Sequence, residues 1–509
     1  MSNAAAIVES GIHERTLGAE PAPATADEGA NSSLHAIAPP ARRLAQLFDH
    51  GRYEELDALV HHQARNWGMD RKRSDGDGVR VATGRVHGQV VVAFAQDRRF
   101  MGGSLGEAHA LKICKAMDLA ERIRAPIVAL LDSGGARIQE GVAALAGYGE
   151  IFRRNVRLSG RVPQISVVLG PCAGGAVYSP AITDFIILSR PDALMFVTGP
   201  KVVKQVLFEE VDAQALGGAD VHATTSGVAH LVERDEAAAI ARAREILALL
   251  RIPRVDPGAP PDGPPMHEIV TPNFRRAYDA RKVIAKLADA GSVVEIQPDY
   301  AKNVVVALTR IDGRAVGVVA NQPKERAGVL DIDASRKAAR FVRTMSAFGV
   351  PIVTLVDVPG FMPGSRQEHG GVIVHGAKLL YAYCEARVPR ITVVMRKAFG
   401  GAYIVMSSKH VGADVNLAWP GAQISVMGAE GAVEILHGKD LQAAADPKAR
   451  ADELCARYRE QFMSVRVAAE RGWVDEVIEP SDTRHKIAHY LGVLEDANAG
   501  EGAHGNIPL

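Results

Sequence analysis

Cysteine is scarce in this chain: four in 509 residues, at positions 114, 172, 384 and 455. They lie far apart and no Cys-x-x-Cys pair occurs, which excludes a zinc ribbon and argues against a disulfide framework. Net charge is missing too. Lys+Arg and Asp+Glu both number 59, so neither nucleic acid nor an anionic membrane is expected as a partner. There is no stretch of about 18 apolar residues and no apolar signal core at the N-terminus; the cytoplasm is the expected compartment. The sequence has no Gly-x-x-x-x-Gly-Lys-Ser/Thr loop, no Gly-x-Gly-x-x-Gly opening a βαβ unit, no Gly-x-Ser-x-Gly elbow and no zinc-type histidine cluster. Phosphate-loop, dinucleotide, serine-hydrolase and metal chemistry are therefore not expected.

What is present suits a globular protein with room for two domains. Apolar residues make up 47% and charged residues 23%. Residues 1–38 are rich in Ala, Glu, Ser and Pro without periodicity and read as a disordered tail. Residues 39–250 form the first expected domain. The segment 251–266 carries six prolines and reads as a linker; the second domain takes 267–509. Apolar β-forming runs at 90–94 and 165–169 read as buried strands. Between them, 105–124 has helical spacing, with Ile113, Met117 and Ala120 on one stripe. Strands alternating with helices imply an α/β fold. A last helix is expected at 483–494, capped from the Glu479-Pro480-Ser481-Asp482 stretch.

The chain then says nearly the same thing twice. Ile127-Val128-Ala129-Leu130-Leu131 runs into Asp132-Ser133-Gly134-Gly135-Ala136-Arg137, and Ile352-Val353-Thr354-Leu355-Val356 runs into Asp357-Val358-Pro359-Gly360-Phe361. Each is followed by a Gly-rich turn, Gly170-Pro171-Cys172-Ala173-Gly174-Gly175-Ala176 and Arg396-Lys397-Ala398-Phe399-Gly400-Gly401-Ala402. Asp132 and Gly175 are 43 residues apart, Asp357 and Gly401 44. A third glycine follows in each half, Gly199 and Gly428. Three landmarks repeated in order imply two copies of one fold.

Each turn offers one kind of chemistry. Glycine lets a ligand approach the backbone closely, and where a helix starts the first amides have no internal acceptor. Two such N–H groups can hold a carbonyl oxygen that becomes an oxyanion. Side chains add little: Ser133 reads as a cap, Arg137 with Glu140 as a salt bridge at a helix start, His369 and His375 as hydrogen-bonded structural histidines, Tyr178 and Tyr403 as core or wall. Two oxyanion sites without a nucleophile suggest enolate chemistry.

These motifs resemble the carboxyltransferase (β) subunits of biotin-dependent acyl-CoA carboxylases, of the propionyl-CoA and acyl-CoA carboxylase type. The resemblance spans about residues 40–495. It is carried by Asp132 to Gly141, Gly170 to Ala181, Asp331 to Arg340, Asp357 to Phe361, Arg396 to Tyr403 and Ala418-Trp419-Pro420. It implies two tandem crotonase-like domains, each a ββα superhelix. It also implies that Gly174 and Gly175 hold the acyl-CoA thioester carbonyl, with Gly134, Gly135, Ala136, Arg137 and Ile404 near the substrate. Gly401 and Ala402 hold the biotin ureido carbonyl, with Phe361 and Gly400 beside it. The four catalytic positions are thus Gly174, Gly175, Gly401 and Ala402. Biotin is the implied cofactor, carried on a biotinylated α subunit with biotin carboxylase; no metal is implied, and the core is expected to be a homo-hexamer. A decarboxylase or transcarboxylase subunit working on a malonyl-CoA-type thioester, or a non-catalytic scaffold, are the alternatives. Two departures stand out: Ile404 where propionyl-specialised members resemble each other in carrying Asp, and Val206-Leu207-Phe208-Glu209 in place of a Thr-Gly-containing stretch.

The sequence has no biotinyl Met-Lys-Met segment. Incubated alone with ATP, bicarbonate and acyl-CoA, the purified chain should fix no CO2 above background; ATP-dependent fixation without a biotinylated partner would overturn that expectation.

Overall fold

The computed structural model describes residues 38–495 and 504–508. The expected tail therefore lies outside the described residues except for Ala38. The chain divides into two units, Met1–Ala248 and Leu249–Leu509, and the division falls inside the helix Glu236–Arg251.

The first unit holds β1 (Tyr53–Leu56), β2 (Val79–Val86), β3 (Gln89–Gln96), β4 (Ile127–Ser133), β5 (Gln164–Ala173), β6 (Phe185–Ser189), β7 (Leu194–Phe196) and β8 (Leu231–Glu233). Its sheet order is β1-β2-β3-β4-β5-β6-β8, with β7 on β5. The hairpin β2–β3 is antiparallel and the strands from β3 onward are parallel. The second unit repeats this with β9 (Val294–Ile296), β10 (Val304–Ile311), β11 (Arg314–Asn321), β12 (Ile352–Val358), β13 (Arg390–Phe399), β14 (Val415–Ala418), β15 (Gln423–Ser425) and β16 (Glu476–Val477). Its order is β9-β10-β11-β12-β13-β14-β16, with β15 on β13.

The apolar runs explain the central strands. Every residue of β4 and of β12 is buried, as expected for parallel strands covered on both faces. Helices Glu107–Ile123 and Val142–Leu158 join the first unit's strands, and Ile332–Ala347 and Val372–Glu385 the second's. The stripe of Ile113, Met117 and Ala120 packs into the first core. Asp331 caps the helix Ile332–Ala347 by accepting from the Ala334 amide at 2.9 Å, satisfying one of its orphan donors. Gly199 and Gly428, the third repeated landmark, are the N-caps of the helices Pro200–Leu207 and Ala429–Ala443. The last helix spans Thr483–Val493, but the Asp482 side chain makes no capping bond; a short helical turn at Pro480–Asp482 leads in instead. Within 251–266, Arg254 bridges Arg314, with the Val255 amide donating to Gly313 at 2.9 Å.

One repeated core feature is polar. Lys112 and Lys337 are 225 residues apart and both are buried. Lys112 Nζ donates to the carbonyls of Gly76 and Val79 at 3.0 and 2.6 Å. Lys337 Nζ donates to those of Gln297 and Tyr300 at 2.8 Å each. No carboxylate among the described residues pairs with either, so burial pushes Lys337 down to about 7 and Lys112 to about 8. A neutral amine has two hydrogens for two carbonyls. The unfolded Lys337 titrates near the ordinary value of about 10.4. Between the two values the unfolded chain binds more protons, so the term is fully present above the unfolded value and is lost as pH falls to the folded one. Relative to Lys337→Met, wild-type stability should therefore rise between pH 7.5 and 9.5, by up to about 1.4 kcal/mol per pH unit. Denaturant titrations of both proteins across that range are the check; parallel curves would refute a neutral buried amine.

Candidate functional site

Strand β5 ends at Ala173 and a helical turn, Gly174–Val177, begins at once. Strand β13 ends at Phe399 and the helix Gly400–Val405 begins. Gly174 and Gly400 both have φ of 60°, the left-handed conformation in which glycine is unstrained. It turns the chain sharply off the strand, so the amides at the start of each turn precede any carbonyl that could accept them. Gly174 and Gly175, and Gly400, Gly401 and Ala402, hold these positions.

A second strand end flanks each turn. After β4, the Leu105 amide donates to Gly135 at 2.8 Å and the Arg137 amide to Leu105 at 2.9 Å. After β12, the Leu330 amide donates to Gly360 at 3.1 Å and the Met362 amide to Leu330 at 2.7 Å. In each case the middle residue of the bridge, Ala136 or Phe361, faces its N–H the other way. Neither amide donates to any group among the described residues. Gly135 abuts the end of β5, where a Cβ would lie 2.9 Å from the Ala173 carbonyl. Each unit thus brings an open amide from one strand end beside a turn that starts at the next.

Aromatic rings floor both turns. A Cβ on Gly175 would lie 3.1 Å from the Tyr148 ring, and one on Gly401 4.0 Å from the Phe361 ring. Tyr148 stacks on Phe152 at 5.7 Å, which meets Tyr178 edge-on at 6.0 Å. Tyr178 is 47% exposed, a wall rather than a core residue. Tyr403 packs edge-on to His410. Ile404 is 41% exposed. Cys172 lies under the first turn, its Sγ donating to Ala176 at 3.2 Å. Burial pushes this thiol up to about 12, so it is not a nucleophile at neutral pH. No group of three or more His, Cys, Asp or Glu able to hold a metal occurs among the described residues.

The structure narrows the expected substrate contacts. The Gly134 amide is taken by Gly102 at 2.9 Å, that of Gly135 by Ser133 Oγ at 3.2 Å, and that of Arg137 by Leu105. Only Ala136 of the four keeps an open amide. The Arg137 side chain faces the core, with Nη1 2.8 Å from Asp77 and 2.7 Å from Glu140 and both Arg137 and Asp77 side chains fully buried. The expected Arg137–Glu140 pair is present, and it withdraws the guanidinium from any substrate. His375 departs from expectation: its Nδ1 is buried without a partner among the described residues, and burial lowers its pKa. Sequence reasoning missed the Ala136 and Phe361 amides as donors, Tyr148 as a floor, and the carboxylates of Asp132 and Asp357 behind the turns. For the amides and the aspartates the repeat positions were the only signal; for Tyr148 there was none.

Residues 40–507 match the family described as carboxyl transferase domain. The chain belongs to that family. It is 51% identical over 477 residues to a propionyl-CoA carboxylase carboxyltransferase subunit of Haloferax mediterranei, covering 92% of each chain. It is 50% identical over 478 residues to a methylmalonyl-CoA decarboxylase subunit alpha of Propionigenium modestum, again 92% of each. It also superposes on a transcarboxylase 12S hexamer structure, with methylmalonyl-coenzyme A and methylmalonic acid bound. The TM-score is 0.88, with 46% identity over 94% of both chains. The two ββα units are therefore the tandem crotonase-like domains of a carboxyltransferase enzyme subunit.

In such an enzyme the open amides are the groups to test. Gly175→Val crowds Tyr148 and the oxygen position, and Ala402→Pro removes an N–H where the first helical turn tolerates proline. Each should lower carboxyl transfer by about 100-fold or more, since one oxyanion donor contributes about 2.7 to 4 kcal/mol. The size-exclusion profile should stay as in wild type. Near wild-type turnover in either variant would remove the amides from the reaction.

Proposed function

We propose that the chain transfers a carboxyl group from a carboxybiotin carried on another polypeptide to the α carbon of an acyl-CoA. The observation that carries this reading is the pair of repeat-related turns, each opening on amides without an acceptor at the end of a central strand. Gly174 and Gly175, with Ala136, hold the thioester oxygen as it gains enolate charge. Gly401 and Ala402, with Phe361, hold the ureido oxygen. The biotin group fits the second turn: the Phe361 ring gives an apolar floor, and Gly376, whose Cβ would lie 3.0 Å from that ring, leaves it room. Biotin supplies CO2 and the base for the α-proton, which agrees with the lack of a side-chain base at either turn. What this chain adds is donors fixed in advance where charge develops.

The likeness to a transcarboxylase 12S hexamer supports a homo-hexameric core, and the family resemblance supports a biotinylated α subunit as partner. A second reading has support of its own: half of all aligned positions are shared with a methylmalonyl-CoA decarboxylase subunit, so the same site run in reverse is its natural rival. Two assays separate them. ATP-dependent CO2 fixation into acyl-CoA with a biotin carboxylase partner supports the first. CO2 release from methylmalonyl-CoA without ATP, and no fixation, supports the second. Loss of both activities would leave a scaffold.

Ile404 sets the expected chain-length behaviour. A branched apolar side chain there has no charge to order water beside the acyl end, so acetyl-, propionyl- and longer acyl-CoAs should all be used. The 41% exposure of Ile404 means an aspartate would stay hydrated and bring water with it, so Ile404→Asp should shift kcat/KM against the longer chains. One methylene is worth about 1 to 3 kcal/mol in an apolar pocket, so a graded change of about tenfold across the panel is expected. Unchanged ratios would move attention to Val206–Glu209, where Phe208 is 88% exposed.

A further inference from the structure

Two buried carboxylates lie behind the turns. The β4–β5 ladder shifts register between Leu131 and Ser133, and the β12–β13 ladder between Val356 and Val358. The residues skipped are Asp132 and Asp357, 7% and 1% exposed. Each has its own amide held by the same repeat position: Asp132 N–H donates to Gln96 Oε1 at 3.0 Å and Asp357 N–H to Asn321 Oδ1 at 3.2 Å. Bulges next to functional sites re-aim the strand that follows. Here three residues, 169–171 of β5 and 395–397 of β13, stand opposite the one aspartate, so the extra length lies on the strand that leads into the turn.

The partners differ between the units. Asp357 reaches across to β13. Its Oδ2 accepts from Arg396 Nε at 2.8 Å and its Oδ1 from the Lys397 amide at 3.2 Å. Arg396 is itself fixed: Nη1 donates to the carbonyls of Asn273 and Arg276 at 3.0 and 2.9 Å, and the guanidinium lies 4.9 Å over Tyr278. Lys397 is four residues before Gly401. In the first unit, Gly170 and Pro171 stand where Arg396 and Lys397 stand in the second. Proline has no N–H to give, and Asp132 Oδ1 is buried without a partner among the described residues. A Cβ at Gly170 would overlap the Asp132 carboxylate. The cation comes from elsewhere: Arg43 donates to Asp132 Oδ2 at 3.2 and 3.1 Å through Nη1 and Nη2 and also pairs with Glu236.

We propose that Asp357 and Asp132 are positioning residues, each setting the amide turn of its own unit: Asp357 by gripping the β13 backbone directly, Asp132 by packing its carboxylate, held by Arg43, against Gly170 of β5. The proposal rests on the assignment of the two turns to biotin and thioester. Neither aspartate touches a reactant. Each acts by holding the strand end from which the donors project, where an error of about 1 Å costs on the order of 10²-fold. Because the grip is local, each substitution should be felt on one reactant.

The test uses the full-length protein with methylmalonyl-CoA as carboxyl donor and free biotin as acceptor, comparing Asp357→Asn and Asp132→Asn. Asp357→Asn should lower kcat at least tenfold and raise the KM for biotin at least fivefold, with the KM for the thioester within twofold of wild type. Asp132→Asn should show the opposite split with a smaller kcat loss. Arg396→Lys, which keeps the charge, stands in if Asp357→Asn does not fold, and should show the same split. Deuterium exchange of the full chain without substrates gives a second arm: 397–403 should exchange at least threefold faster in Asp357→Asn but not in Asp132→Asn, and 171–177 the reverse. If the wild-type chain transfers nothing to biotin, the functional reading fails, and the exchange arm still decides the positioning. Equal effects on both reactants, or unchanged exchange at the two turns, would overturn the proposal.

Discussion

An amide at the start of a helical turn has no carbonyl behind it to accept its hydrogen. Both units of this chain are built around that constraint. A long buried strand runs to a glycine with positive φ, the chain turns, and the first N–H groups face away from the body of the fold. Neither helical turn is long, so little of their pull on an anion comes from a summed dipole. The useful term is direct: donors held in place before charge appears, which need no reorganisation when it does. Parallel strands buried on both faces, with a helix over each side, leave the strand ends few ways to move.

The two units meet the same demand with different side chains. Buried aspartates sit at both bulges, yet the arginine that neutralises one is five residues before Gly401, and the arginine that neutralises the other lies near the start of the first unit. A buried charge without a partner costs several kcal/mol, so loss of an arginine at one position is tolerated only if another reaches the carboxylate. Gly170 fits this account, because it leaves free the space that the Asp132 carboxylate fills. The floors differ likewise. Tyr148 comes from a helix and Phe361 from the bridge itself, so the second turn has donor and floor on one residue and the first does not.

Much of this was legible in the sequence because buried parallel strands read as continuous apolar runs, and two such runs at nearly equal spacing from Gly-rich turns expose the repeat. The helix at Glu107–Ile123 followed from its stripe. The open amides of Ala136 and Phe361 were not legible, since they depend on bridges to Leu105 and Leu330 about thirty residues away. The bridge to Leu105 also takes up the Arg137 amide, whereas those of Gly134 and Gly135 go to the Gly102 carbonyl and Ser133 Oγ. Arg137 shows the limit of spacing arguments. Its pair with Glu140 is local and was readable, whereas Asp77, which completes the burial of its guanidinium, is 60 residues away. The N-cap of the last helix falls in the expected stretch, at Asp482, but its carboxylate accepts from Ser481 Oγ at 3.3 Å instead of capping the helix.

The arrangement also bears on direction. A fixed amide lowers the barrier by preferring the oxyanion over the carbonyl, and the oxyanion is the same species whether the thioester is gaining a carboxyl group or losing one. Stabilising it speeds both directions equally and leaves the equilibrium where it was. Nothing in the two turns can therefore make this chain a carboxylase rather than a decarboxylase. On the proposed reading, direction enters with the partner that loads or unloads the carrier. On that same reading, each unit has to keep its own donors in register with one reactant, and the buried charges at the strand ends would be where the fold enforces it.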